Sequence, residues 1–127
     1  MVILFDQFNM PDDVFEVIFA TPQQNIVAKV LIKFMKENGG EITKTDMSYF
    51  ATKLHDGELE TTLQDAPYRG KTVKLSYNKR QFYDRILTPM KSMGMIQFDL
   101  YKKTYKISDR FSKNLKMLSI MWQDAIH

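Results

Sequence analysis

The chain has no cysteine, which removes disulfides, thiol catalysis and thiolate metal sites and fits a reducing interior. Histidine is nearly absent too. His55 and His127 are too few for a recognisable metal site, and nothing beside His55-Asp56 supplies a nucleophile or an oxyanion hole. A helix C-terminus with a basic side chain is the simpler role for His55. No apolar run approaches the roughly 20 residues of a membrane helix. The apolar start Val2-Ile3-Leu4-Phe5 lacks a basic flank and turns acidic at Asp6, so it does not read as a signal peptide. The default location is therefore the cytoplasm. Repeats and low-complexity tracts are missing, and the dispersed carboxylates have no catalytic spacing. Gly70-Lys71-Thr72 spells the end of a phosphate-binding loop, but position 65, where such a loop needs glycine, is Asp65. No enzyme, metal or cofactor is expected.

What is present is ordinary in amount and uneven in placement. The 127 residues suit one domain with a real core, and 44% of them are hydrophobic. Residues 1–68 hold 5 Lys/Arg against 11 Asp/Glu, whereas residues 69–127 hold 13 against 4. The overall charge of +3 thus conceals an acidic half and a basic half. A basic half is a nucleic-acid signal when it coincides with an element that can read a groove.

Glycine and proline are few, five and four, so each one punctuates. Pro11 with Asp12 and Asp13 opens a short helix to about Ala20. Thr21-Pro22-Gln23-Gln24 is a helix start with a capping box, followed by Ile26, Val27, Val30, Leu31, Phe34 and Met35 at helical spacing. Gly39-Gly40 ends that helix. Glu41–Thr43 is a short extended piece, and Thr43 caps a second helix with Met47, Phe50, Ala51 and Leu54 inside. Residues 55–77 are irregular and acidic up to Asp65. Ala66-Pro67 and Arg69-Gly70 are turns, and Thr72–Tyr77 alternates like a strand. Asn78 caps a third helix with Phe82, Ile86, Leu87, Met90 and Met93 inside, and Pro89 is expected to bend or loosen it. After Gly94 come two alternating strands, around Ile96-Phe98 and Tyr105-Ile107, joined through Tyr101-Lys102-Lys103. Ser108 caps a last helix striped with Phe111, Leu115, Leu118 and Trp122. The many methionines, nine in all, mostly fall on these inner faces and read as core filling.

A helix followed by a basic hairpin can meet DNA at two places, one element in the major groove and one on the backbone. The exposed side of the third helix carries Lys79, Arg80, Gln81 and Arg85. Arginine can pair with guanine and glutamine with adenine through two hydrogen bonds each. Lys102 and Lys103 at the hairpin tip, with Lys106 behind them, suit phosphates, and Tyr101 suits a sugar. Lys74, Arg69 and Lys71 lead into the third helix and can follow the backbone. Lysines on an exposed hairpin also guard its edge against aggregation.

From Thr21 to Ile107 the order of elements resembles the prokaryotic winged helix-turn-helix transcription regulators, the broad group that includes the MarR, ArsR and PadR types. The nearest local likeness is Ile86–Ile96, with its Leu-containing last turn, Gly94 and an apolar first wing strand. Thr104–Ser108 resembles the returning wing strand. The resemblance implies a mainly α fold with a small β-hairpin wing, as one winged-helix domain over 1–127. Residues 1–20 would be an N-terminal extension, 55–77 an insertion between second and third helices, and 108–127 a C-terminal helix. It implies double-stranded DNA as partner and a homodimer built by the terminal helices, suiting a palindromic operator. The 23 residues between Leu54 and Asn78 depart from the tight turn usual there. A winged-helix protein-interaction module of a larger assembly, a plasmid or viral replication-initiation protein, and an RNA binder are the competing readings.

Overall fold

The computed structural model describes residues 5–63 and 71–127, and the side chains of these except at 60–63 and 71–74. The apolar residues 1–4, Arg69, Gly70 and the turn at Ala66-Pro67 lie outside the described residues, as do the side chains of Lys71, Thr72 and Lys74.

Polar caps decide where the helices begin. Asp13 Oδ1 accepts the Glu16 N–H at 3.0 Å and starts α1 (Val14–Ile18). This helix is shorter than the 11–20 expected, because Phe19 turns extended and drops into the core. Thr21 Oγ1 accepts the Gln24 N–H and starts α2 (Pro22–Glu37), with proline in the first turn as the sequence suggests. The Gln24 amide does not return to close a box but lies toward the Tyr77 hydroxyl at 3.5 Å. Gly39 and Gly40 take positive φ, and the Gly40 N–H reaches back to the Met35 carbonyl at 2.8 Å, turning the chain into β1 (Glu41–Thr43). A full capping box of Thr43 and Asp46 opens α3 (Lys44–His55).

The stretch expected to be irregular contains a second hairpin. Strands β2 (Leu59–Leu63) and β3 (Lys71–Leu75) pair antiparallel, from Leu59 opposite Leu75 to Leu63 opposite Lys71. The strand read at 72–77 is β3, which starts one residue earlier and ends two residues sooner. Its partner β2 was not anticipated.

Asn78 Oδ1 accepts the Gln81 N–H and opens the third helical run, residues 79–93. The run is α4 (Lys79–Phe82), a π turn (Tyr83–Leu87) and α5 (Thr88–Met93). The Thr88 N–H bonds the Tyr83 carbonyl five residues back. The wide turn sits just before Pro89, which has no N–H to give and would crowd the carbonyl four residues behind it. The expected effect of Pro89 is therefore absorbed upstream, and the helix continues past it. The extra residue also lets adjacent Ile86 and Leu87 both face inward.

Gly94 at φ +87° ends the run. A Cβ there would lie 3.0 Å from the Arg110 side chain and 3.1 Å from the Phe111 backbone nitrogen, so only glycine lets the last helix start this close. Strands β4 (Ile96–Asp99) and β5 (Thr104–Ile107) form an antiparallel hairpin, and β1 adds to the far side of β5, giving the order β1-β5-β4. Helix α6 (Arg110–Ile126) follows, with Asp109 at the cap position and Ser108 Oγ accepting the Arg110 N–H.

The core lies between α2, α3, the 79–93 run and the inner face of this sheet. Phe34, Phe50 and Phe82 stack through it with centroids 5.3 and 5.5 Å apart. Ile42, Ile96 and Tyr105 close it from the sheet side. The architecture is mixed α and β, with helices around a small three-stranded antiparallel sheet, and is compatible with a winged helix. Strand content exceeds a mainly helical plan with one hairpin, because β1 joins the sheet and β2–β3 adds a second. No helix among the described residues is long and apolar enough to cross a membrane.

Candidate nucleic-acid interface

The start of the 79–93 run is fixed by α3. The Lys79 N–H donates to His55 Nδ1 at 3.0 Å, and the Tyr77 N–H donates to the Leu54 carbonyl at 3.1 Å. His55 is thus an acceptor for the next helix's first N–H, a role that its position at the end of α3 did not reveal. The Lys79 ammonium turns the same way, 2.9 Å from Thr52 Oγ1 and 3.4 Å from Ser48 Oγ. Lys79 therefore ties α4 to α3. Arg80, Gln81 and Arg85 point to solvent. Arg80 has Asp84 at 3.8 Å, an i,i+4 pair between side chains 92% and 67% exposed, too solvated to hold the guanidinium back from a ligand.

One turn beyond the π turn, Lys91 lies over the β4–β5 hairpin. Its ammonium is 5.7 Å from the Phe98 ring centroid and 5.9 Å from that of Tyr105. Those rings pack at 4.6 Å across the strands. Burial raises the Tyr105 hydroxyl above its ordinary pKa, and nearby Tyr83 adds to this. Burial likewise raises Tyr83, partly offset by its hydrogen bond with Ser48. Both phenols thus stay protonated, the Tyr105 ring beneath the lysine.

Lys91 lines an open groove of about 720 Å³ with Lys102, Lys106, Gln97 and Tyr101. Its carboxylates are Glu41 and Asp99, and both are engaged. Glu41 accepts from the Thr104 hydroxyl at 2.8 Å. Asp99 accepts the backbone N–H groups of Lys102 at 3.0 Å and Tyr101 at 2.9 Å, which hold its carboxyl below the ordinary range. Lys106 sits on the central strand between Gln97 and Glu41 in the cross-strand register.

The hairpin tip, Leu100–Lys103, is built rather than loose. Asp99 caps it, Lys103 takes φ +54°, and the Lys103 carbonyl accepts the Lys44 N–H at 2.9 Å. This last bond joins the tip to the N-terminus of α3. Lys44, Thr45, Ser48, Tyr49 and Thr52 line a shallow second surface along α3, and the Lys53 ammonium is 5.3 Å from the Tyr49 ring centroid.

Of the residues read from the sequence, Arg80, Gln81 and Arg85 share the first half of one helical run. Lys102, Lys103 and Lys106 share one hairpin, and all six are exposed. Lys79 is turned onto α3. Lys74 pairs in register with Glu60, and its side chain lies outside the described set. Lys91 and Lys44 were missed. Lys91, three residues ahead of Gly94 on the solvent side of the run, carried a readable signal. Lys44 had none, because its place beside the tip depends on β1 joining the sheet. Among the described residues no cluster of three or more His, Asp or Glu side chains is placed to hold a metal ion. No protein-family model, curated protein or solved structure matches the chain.

Proposed function

We propose that this protein is a winged helix-turn-helix regulator that binds double-stranded DNA sequence-specifically, in the cytoplasm and as a homodimer. The observation that carries the reading is the exposure of two basic elements that follow one another in the chain. Arg80, Gln81 and Arg85 stand on one helical run. Lys102, Lys103 and Lys106 stand on the hairpin that follows it, and Lys91, between the two in sequence, shares a groove with Lys102 and Lys106. Under this reading the 79–93 run enters the major groove, and Arg80, Gln81 and Arg85 meet base edges. The hairpin is the wing, and its lysines hold phosphates. Function is binding alone, with no chemical step and no cofactor.

The homodimer rests on α6. Leu115, Leu118 and Trp122 on that helix are 44–63% exposed, as are Met117, Ile120 and Met121. Such a stripe is unusual on a monomer's surface and suits a two-fold contact. The same stripe favours the second reading, a winged-helix module that docks on another protein.

Fluorescence anisotropy on a random 30-base-pair duplex over a salt series tests the proposal. Affinity should fall steeply with salt, and Lys102→Ala/Lys103→Ala should lower the salt slope by about 2, one per phosphate contact. On a selected site, Arg85→Ala should cost about 1–3 kcal/mol and relax one base position. Absence of binding at low salt would overturn the reading in favour of the protein-docking module. Preference for structured RNA over duplex would reassign the ligand.

A further inference from the structure

The hairpin tip presents two large apolar side chains with nothing over them. Leu100 is 76% exposed and Tyr101 99%. A hairpin of this kind usually ends in small polar residues. Here the apolar pair is held outward by a fixed loop. Asp99 grips the two N–H groups after Leu100, and the Lys103 carbonyl is bonded to α3. Lys103 keeps a left-handed backbone that glycine or asparagine would adopt more cheaply. Directly beside the pair stand Lys102 and Lys103, and Leu100 and Tyr101 themselves line one end of the groove of Lys91, Lys106, Gln97 and Glu41. The nearest acid, Asp99, is engaged by the loop itself.

An apolar point beside two cations fits a polyanion that can open an apolar gap. Base pairs in duplex DNA do so when a step is unstacked. A flat anionic membrane also offers charge and apolar interior. A flat surface cannot follow the groove that the tip shares with Lys91 and Lys106, whereas a phosphate backbone can. We propose that the tip inserts Leu100 and Tyr101 between base pairs from the minor groove, kinking the duplex, while Lys102 and Lys103 hold the flanking phosphates. This rests on the DNA-binding reading and adds a deformation to it.

The test compares a paired 30-base-pair duplex with the same duplex carrying a two-base mismatch, in which unstacking is already partly accomplished. Anisotropy is run on the full chain, on Leu100→Ala/Tyr101→Ala and on Lys102→Ala/Lys103→Ala. All four side chains are exposed, so the fold should be unaffected. The wild type should bind the mismatched duplex about tenfold more tightly, since it no longer spends binding energy on unstacking. The apolar double variant should lose that preference while keeping its salt slope. The lysine double variant should weaken on both duplexes and keep the preference. End-to-end energy transfer on the paired duplex should report a bend with the wild type and none with the apolar variant. Equal affinity of the wild type for both duplexes, or a preference that survives Leu100→Ala/Tyr101→Ala, overturns the wedge while leaving DNA binding standing. No binding to either duplex removes both. Binding to phosphatidylserine vesicles that needs Leu100 and Tyr101, with no mismatch preference, assigns the tip to a membrane surface instead.

Discussion

Helices α2 and α6 have nearly the same length, 16 and 17 residues, and opposite fates. Each carries an apolar stripe at helical spacing. Yet α2 buries seven residues, including Val27, Leu31 and Met35, whereas α6 buries none. The difference lies in what packs against each helix. Helix α2 is followed by elements that fold back over it from both sides. Helix α6 touches the body through its first turns, at Gly94 and through Asn114 Nδ2 near the Met93 carbonyl at 3.4 Å. An amphipathic pattern states that one face needs cover and says nothing of what supplies it. In α2 the cover is the same chain. In α6 the described residues leave most of that face open.

Three tests sharpen this contrast. The largest effect is expected at Leu31, which is fully buried. Leu31→Ala should cost about 2–5 kcal/mol in urea unfolding, the usual range for a leucine cavity. Leu118→Ala, at a site half exposed, should stay within about 0.5 kcal/mol under dilute conditions. Equal losses at the two sites would mean that α6 is covered within one chain.

The second test concerns what covers α6. Trp122 is the chain's single tryptophan and is 63% exposed, so its emission reports burial of that face directly. With a homodimer, emission should shift to the blue as concentration rises, in step with the mass seen by sedimentation. Leu118→Glu should raise the dimer Kd by tenfold or more, equivalent to about 1.4 kcal/mol, with folding unchanged. A concentration-independent monomer with solvated Trp122 would leave α6 for a different partner.

The smallest effect concerns the ties of the two helices. Helix α2 is pinned to the N-terminal segment by Lys29, 2.8 Å from Asp13. Partial burial pushes the Asp13 carboxyl up. The Lys29 hydrogen bond and charge, with the Glu16 and Phe15 N–H groups, outweigh it and leave the pKa below 3.8. A carboxyl depressed on folding stabilises above its unfolded pKa and loses that contribution as pH falls through the folded value. Wild type should therefore lose a little more stability than Asp13→Asn between about pH 4 and pH 2, by less than about 1 kcal/mol. Parallel acid profiles would remove the tie. Helix α6 has Asp109 and Lys113 3.6 Å apart within its own first turn, which pins it to nothing else.

Much of the architecture was legible because its signals are local. Thr21, Thr43 and Asn78 cap where their residue types say they should, and Gly39, Gly40 and Gly94 stop helices through positive φ. Strands β4 and β5 alternate cleanly. What escaped depended on distant partners or on small changes of period. Strand β2, Leu59-Glu60-Thr61-Thr62-Leu63, places its leucines four apart among acids and looks like a loop until β3 pairs with it. The π turn leaves no mark except Pro89 and the adjacent pair Ile86-Leu87. At the candidate interface the exposed positions of the third run and the tip lysines were readable from periodicity. The turning of Lys79 onto Thr52 was not, since it requires α3 and α4 to be side by side. The role of Lys91 needed the groove.

The 23 residues between Leu54 and Asn78 leave and return at one point. The Leu54 carbonyl and His55 Nδ1 at the exit receive the Tyr77 and Lys79 N–H groups at the re-entry. The rest of the molecule is thereby insulated from how long the detour is. Closing a flexible loop of twice the length costs only about 0.6 kcal/mol more. Versions shortened or enlarged between Leu63 and Lys71 should fold to the same frame, which makes that stretch the natural seam for grafting a foreign segment into the chain.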